Sequence, residues 1–124
     1  GSSAASDVYK RQVLAEIAAL EHKELQPFLS ELRKDKAPSE VLEGFVRTYL
    51  IHLSTPENVT LNLEITSEAV RKPDIAKMFL KNQNALLDAL AILLTRGVKE
   101  VIFVCYLTHE RQQVLSWTQW KAKR

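Results

Sequence analysis

Apolar residues recur every three or four positions along much of this chain, and it has only three Gly and four Pro, so the pattern favours a mainly helical fold. An all-β domain would need many more turn formers. At 124 residues the chain suits one domain with a real core. Its 46% hydrophobic and 26% charged residues are ordinary globular composition and exclude a disordered or collagen-like chain.

The punctuation places the helices. Leu14, Ile17, Ala18, Leu25, Phe28, Leu29 and Leu32 form one apolar stripe, interrupted by the polar pair Glu21 and His22. Pro27 removes an amide donor and crowds the Lys23 carbonyl, so a kink or restart is expected there. Arg33-Lys-Asp-Lys36 reads as a solvated loop. A second helix is expected from Pro38 or Ser39, with Glu40 and Glu43 near its positive end and Leu42, Phe45, Val46, Tyr49, Leu50 and Leu53 on its buried side. Ser54-Thr-Pro-Glu57 stops it and starts another, with Thr55 as N-cap and Pro56 in the first turn. Beyond that start, Val59, Leu61, Leu63 and Ile65 alternate with polar residues at the period of a strand, and periodicity leaves helix and strand evenly matched. Lys72-Pro-Asp74 begins the longest periodic segment, for which Gly97 is the expected stop. Residues 85–94 are apolar on more than one face. They suit either the central helix of a monomer or a helix shared with a second subunit.

The chemistry-bearing residues are few. Net charge is +2, from 17 basic and 15 acidic residues, too small a field to draw in nucleic acid or an anionic membrane. No apolar stretch approaches the roughly 20 residues of a membrane span. The lone Cys105 fits a reducing compartment, and its neighbours Val101 to Tyr106 suggest a buried, inert thiol. His22, His52 and His109 form no metal-ligand spacing, and no phosphate loop can be built from Gly1, Gly44 and Gly97. No enzyme, metal or cofactor is expected. Tyr49, His52, Asn62, Thr66, Asn82 and Asn84 lie on helices whose apolar positions build the core. A few polar groups converging on an apolar cavity make a small-molecule site, whereas each taken singly also reads as a satisfied core polar or a surface residue.

Residues 13–22, Phe45-Val-Arg-Thr-Tyr-Leu50, Asn62 through Ala76, Leu86-Leu-Asp-Ala-Leu90 and Arg96-Gly-Val-Lys-Glu100 together resemble the regulatory half of a TetR-family transcriptional repressor. The stretches 68–76 and 86–100 carry most of the likeness, which spans 13–100. It implies an all-α antiparallel bundle of about four to five helices, helix rather than strand at 59–71, a small-molecule effector and a homodimer in the intact protein. The effector site is then expected at Phe45, Tyr49, His52, Asn62, Thr66, Phe79 and Asn82, and the dimer interface at Leu86, Leu90, Leu93 and Leu94. Such repressors read a DNA operator with an N-terminal helix-turn-helix. Too few residues precede Val13 to form one, so no direct nucleic-acid binding is expected of this chain, and a cytoplasmic, membrane-free setting follows. A stand-alone helical protein-interaction module is the competing reading.

Both ends depart from that pattern. Residues 1–12 resemble a cloning scar and adapter translation, and are expected to be a disordered leader. Residues 101–124 give a strand-like apolar run, then Trp117, Trp120 and a basic end, in place of a last amphipathic helix. Loss of one nucleotide after the Glu100 codon accounts for this. Synonymous codon choices for the residues present restore an amphipathic helix in the other frame, which makes the tail a candidate frameshift product.

Overall fold

The fold is all-α, as expected: a computed structural model describes residues 2–123, among which there are four helices and no strand. The helices are α1 (Ser2–Leu32), α2 (Pro38–Leu53), α3 (Pro56–Arg71) and α4 (Pro73–Ala122). Three begin at a proline, where the missing amide costs nothing. Thr55 caps α3 by accepting a hydrogen bond at its Oγ1 from the Asn58 amide, and Glu57 stands in the first turn beside the positive end of the dipole. Residues 59–66 are helical, so the alternation of Val59, Leu61, Leu63 and Ile65 does not mark a strand. Val59 and Leu63 are exposed while Ile65 is buried.

The four helices make three rods. Helix α2 runs antiparallel to α1, placing Phe28 against Phe45, Tyr49 and His52. Helix α3 continues in the same sense, bringing Glu68 to Lys10. Helix α4 then returns parallel to α1, with Arg11 pairing Asp74 at one end and Arg96 donating to the Lys34 and Lys36 carbonyls at the other. The middle rod is therefore one antiparallel arm broken at Ser54–Thr55.

The break divides the core in two. Leu25, Leu29 and Leu32 of α1 pack with Val41 and Phe45 of α2 and Ala89 and Leu93 of α4. Leu14 and Ala18 pack with Ile65 of α3 and Ile75 and Phe79 of α4. Each large apolar side chain so buried contributes about 1.5–3 kcal/mol.

Several expectations are corrected. Residues 2–12 are the first turns of α1, and Asp7, Lys10 and Arg11 form ion pairs with Lys72, Glu68 and Asp74. Pro27 lies inside α1; Lys23 and Pro27 are both exposed, so the carbonyl freed by the missing amide can be met by water. Gly97 does not end α4. Its role is close approach, since a Cβ there would stand 3.3 Å from Pro38 Cβ at the start of α2. Residues 101–122 are neither strand-like nor irregular but continue α4 as an exposed helix, so Cys105 is exposed rather than buried. The whole of α4 is about 75 Å long at 1.5 Å per residue. Among the described residues no helix is long and apolar enough to cross a membrane.

Glu68 ties the lower half together. Nine per cent exposed, it meets Lys10 at 2.7 Å, Lys72 at 3.5 Å and Arg71 at 3.6 Å. The hydrogen bond from Lys10, reinforced by the charges of Lys10 and Lys72, holds its carboxyl below the ordinary 4.5 against the opposing effect of burial. A carboxylate with a depressed folded-state pKa stabilises the fold above its unfolded value, and that contribution fades as pH falls through the folded one. In urea unfolding across pH 7 to 2, Glu68→Gln should be less stable than wild type at neutral pH and converge on it below the carboxylate range. An NMR titration of Lys10→Met should show the Glu68 carboxyl moving back up towards 4.5. A stability gap between wild type and Glu68→Gln that is unchanged at pH 2 would contradict this.

Candidate functional site

A cleft of about 390 Å³ opens where the middle rod breaks, between the two halves of the core. That volume is within the range of small-molecule sites. The two ends of the break are tied together where Asn58 Nδ2 donates to the His52 carbonyl at 2.7 Å and Thr55 Oγ1 donates to the same oxygen at 3.2 Å. These bonds position the end of α2, whose inner face carries Tyr49 and His52 into the cleft.

One wall is aromatic. Phe28 meets Tyr49 edge-on at 5.2 Å between ring centroids and His52 at 5.1 Å, while Tyr49 and His52 lie near-parallel at 6.2 Å. Phe45 stacks behind Tyr49 at 5.1 Å and closes the wall from the core side. Burial, and after it the charge of Glu21, pushes the Tyr49 phenol above its ordinary value.

The floor is polar and centres on Asn82, which is buried and contributed by α4. Asn82 Nδ2 donates to the Ala18 carbonyl at 3.0 Å and to Glu21 Oε1 at 3.1 Å. Its Oδ1 is thereby left as the acceptor facing His22 Nδ1 at 3.1 Å, which puts the proton of the neutral ring on Nδ1. His22 Nε2 is then free to accept from Gln26 Nε2 at 3.3 Å. Both polar atoms of the buried Asn82 side chain thus have partners, as a polar group between two apolar cores requires.

Of the residues chosen from sequence, Tyr49, His52, Asn62, Thr66 and Asn82 all line the cleft. Phe45 and Phe79 do not. Each is buried in one of the flanking core clusters, because its helical position points it at the packed seam and not at the gap. Asn84 is exposed and lies outside the lining. The expected dimer residues are also redistributed. Leu93 is buried, and Leu86 and Leu90 pack against the same core, so α1 and α2 of this chain already use that face; Leu94 is exposed. Sequence reasoning missed Glu21, Glu24, Phe28, Asn58 and Gln83 as lining residues. The signal for the first was present, since Glu21 and His22 break an otherwise apolar stripe where α1 borders the cleft.

Among the described residues no group of His, Cys, Asp and Glu could hold a metal ion. No family model, curated protein or solved structure matches the chain.

The layer around Asn82 has a definite failure mode. Asn82→Asp removes the donor to Ala18 and Glu21 and sets a second carboxylate beside the first, which should cost about 1–3 kcal/mol at pH 7. Protonation of either acid restores a donor. The loss should therefore shrink when urea unfolding is repeated at pH 4. An Asn82→Asp variant as stable as wild type at pH 7 would show that the network carries no weight.

Proposed function

We propose that this chain is the effector-binding and dimerisation domain of a TetR-like transcriptional regulator, and that the cleft at the broken rod is its effector site. The observation that carries the reading is convergence: Tyr49, His52, Asn62, Thr66 and Asn82 come from three different helices and line one cleft of ligand size. Glu21, Glu24 and Phe28 complete the lining from α1. A ligand there touches both halves of the middle rod and both outer helices. It favours whichever rod arrangement it binds more tightly, and only by that difference in affinity. In an intact regulator, such a shift would reset the spacing of two operator-reading heads borne by a dimer. No catalytic step and no direct nucleic-acid contact is assigned to residues 1–124.

The dimer face in this reading is the side of α4 that the core leaves open, with Leu87, Leu94 and Val98 at its centre. One observation favours a helical protein-interaction module instead. The exposed extension of α4 carries Val101, Ile102, Phe103, Val104, Tyr106 and Leu107 in succession, far more apolar surface than a solvated helix needs.

Thermal unfolding followed by circular dichroism against a panel of small amphipathic molecules tests the effector reading. At ligand concentrations about a hundredfold above Kd, the shift corresponds to about 2.7 kcal/mol of added stability. Thr66→Trp, which fills the mouth from an exposed position, should abolish the shift without changing the helical spectrum. A panel that raises the melting temperature of neither protein, or of both equally, would remove the cleft as the site.

A further inference from the structure

The lining of the cleft has one sign of charge. Its acidic members are Glu21 and Glu24, and it contains no Lys or Arg. Its other polar groups are neutral amides, a hydroxyl, the Tyr49 phenol and the His52 ring. Among the described residues neither carboxylate is in an ion pair. Glu21 Oε1 is partnered only by the Asn82 amide, and Glu24 stands exposed at the mouth. The same cleft is lined by the aromatic wall of Phe28, Tyr49 and His52, whose ring centroids lie 5.1 to 6.2 Å apart.

Resting on the ligand-binding reading above, we propose that the occupant of this cleft is an organic cation, a quaternary ammonium or protonated amine on an apolar body, held between Glu21 and Glu24 and the Phe28–Tyr49–His52 wall. Two independent features select that class. Unpaired carboxylates in a partly dehydrated cleft attract a cation and repel an anion. Electron-rich ring faces attract a diffuse ammonium charge, which alkyl groups make cheap to dehydrate. The field is already felt inside the cleft, where the Glu21 charge discourages ionisation of Tyr49. Burial, the larger cause of that shift, disfavours any charge, whereas the Glu21 field taken by itself favours an ammonium at the same place. The apolar body would lie against Ile17, Leu25, Leu61 and Leu86.

The test compares three probes of similar size by calorimetry and by backbone NMR shifts: benzyltrimethylammonium, its uncharged carbon isostere neopentylbenzene, and phenylacetate. The cation should bind at least about tenfold tighter than the isostere, with shifts centred on Phe28, Tyr49 and His52, and phenylacetate should not compete. Glu21→Gln and Glu24→Gln should each weaken the cation about three- to tenfold and leave the isostere unchanged. Glu24 is exposed, so its variant reads the charge effect even if replacement of Glu21 disturbs the fold. If the isostere or phenylacetate binds in the cleft as tightly as the cation, or if both variants hold the cation as well as wild type, the charge class is wrong while the cleft stands as a ligand site. If none of the three shifts the lining residues, the cation assignment is overturned, and the melting screen decides separately whether the cleft takes ligands at all.

Discussion

A break in the middle rod determines almost everything else in this structure. Ser54, Thr55 and Pro56 end one helix and begin the next without reversing direction, so α2 and α3 pack as two separate segments along the α1–α4 pair. A continuous rod would present an unbroken row of side chains to its neighbours and close the core along its length. The interruption instead leaves two apolar clusters with a gap between them. The Thr55 cap and the Pro56 start fix the break locally, and the Asn58 bond to the His52 carbonyl ties its two ends together.

Asn82 is the residue that makes the gap tolerable. An apolar side chain there would leave His22 Nδ1 and Glu21 Oε1 without these protein partners at the edge of the core. With Asn82 in place, α1 and α4 are pinned to one another at the level of the cleft, while α2 and α3 are held there chiefly by packing and by their own turn. Such an arrangement suits a binding site. In the proposed site α1 and α4 are joined through Asn82, and a ligand would favour whichever placement of the middle rod it binds more tightly.

Much of this was legible from residues alone, and the exceptions have physical causes. The starts at Pro38, Pro56 and Pro73 were readable because proline and a cap act locally. Helix at 59–66 was not decided by the alternation of Val59, Leu61, Leu63 and Ile65, since a helix with one narrow buried stripe can show the same short pattern. Gly97 was misread as a stop because a glycine that admits Pro38 and one that ends a helix look identical in sequence. Polar residues of the cleft are identifiable as misfits on apolar faces, whereas Phe45 and Phe79, expected there from helix position, are core packing. Glu24 and Gln83 gave no local signal, since only the tertiary placement of the break brings them to the lining.

Intermolecular NOEs between a bound small molecule and this chain would address the central claim most directly, using the tightest-binding member of the amphipathic panel at saturating concentration. The account predicts contacts from the ligand to the ring protons of Phe28, Tyr49 and His52 and to Leu61, with none to Phe103 or Trp117 on the exposed end of α4. Contacts confined to that exposed end, with the rings at the broken rod untouched, would contradict it.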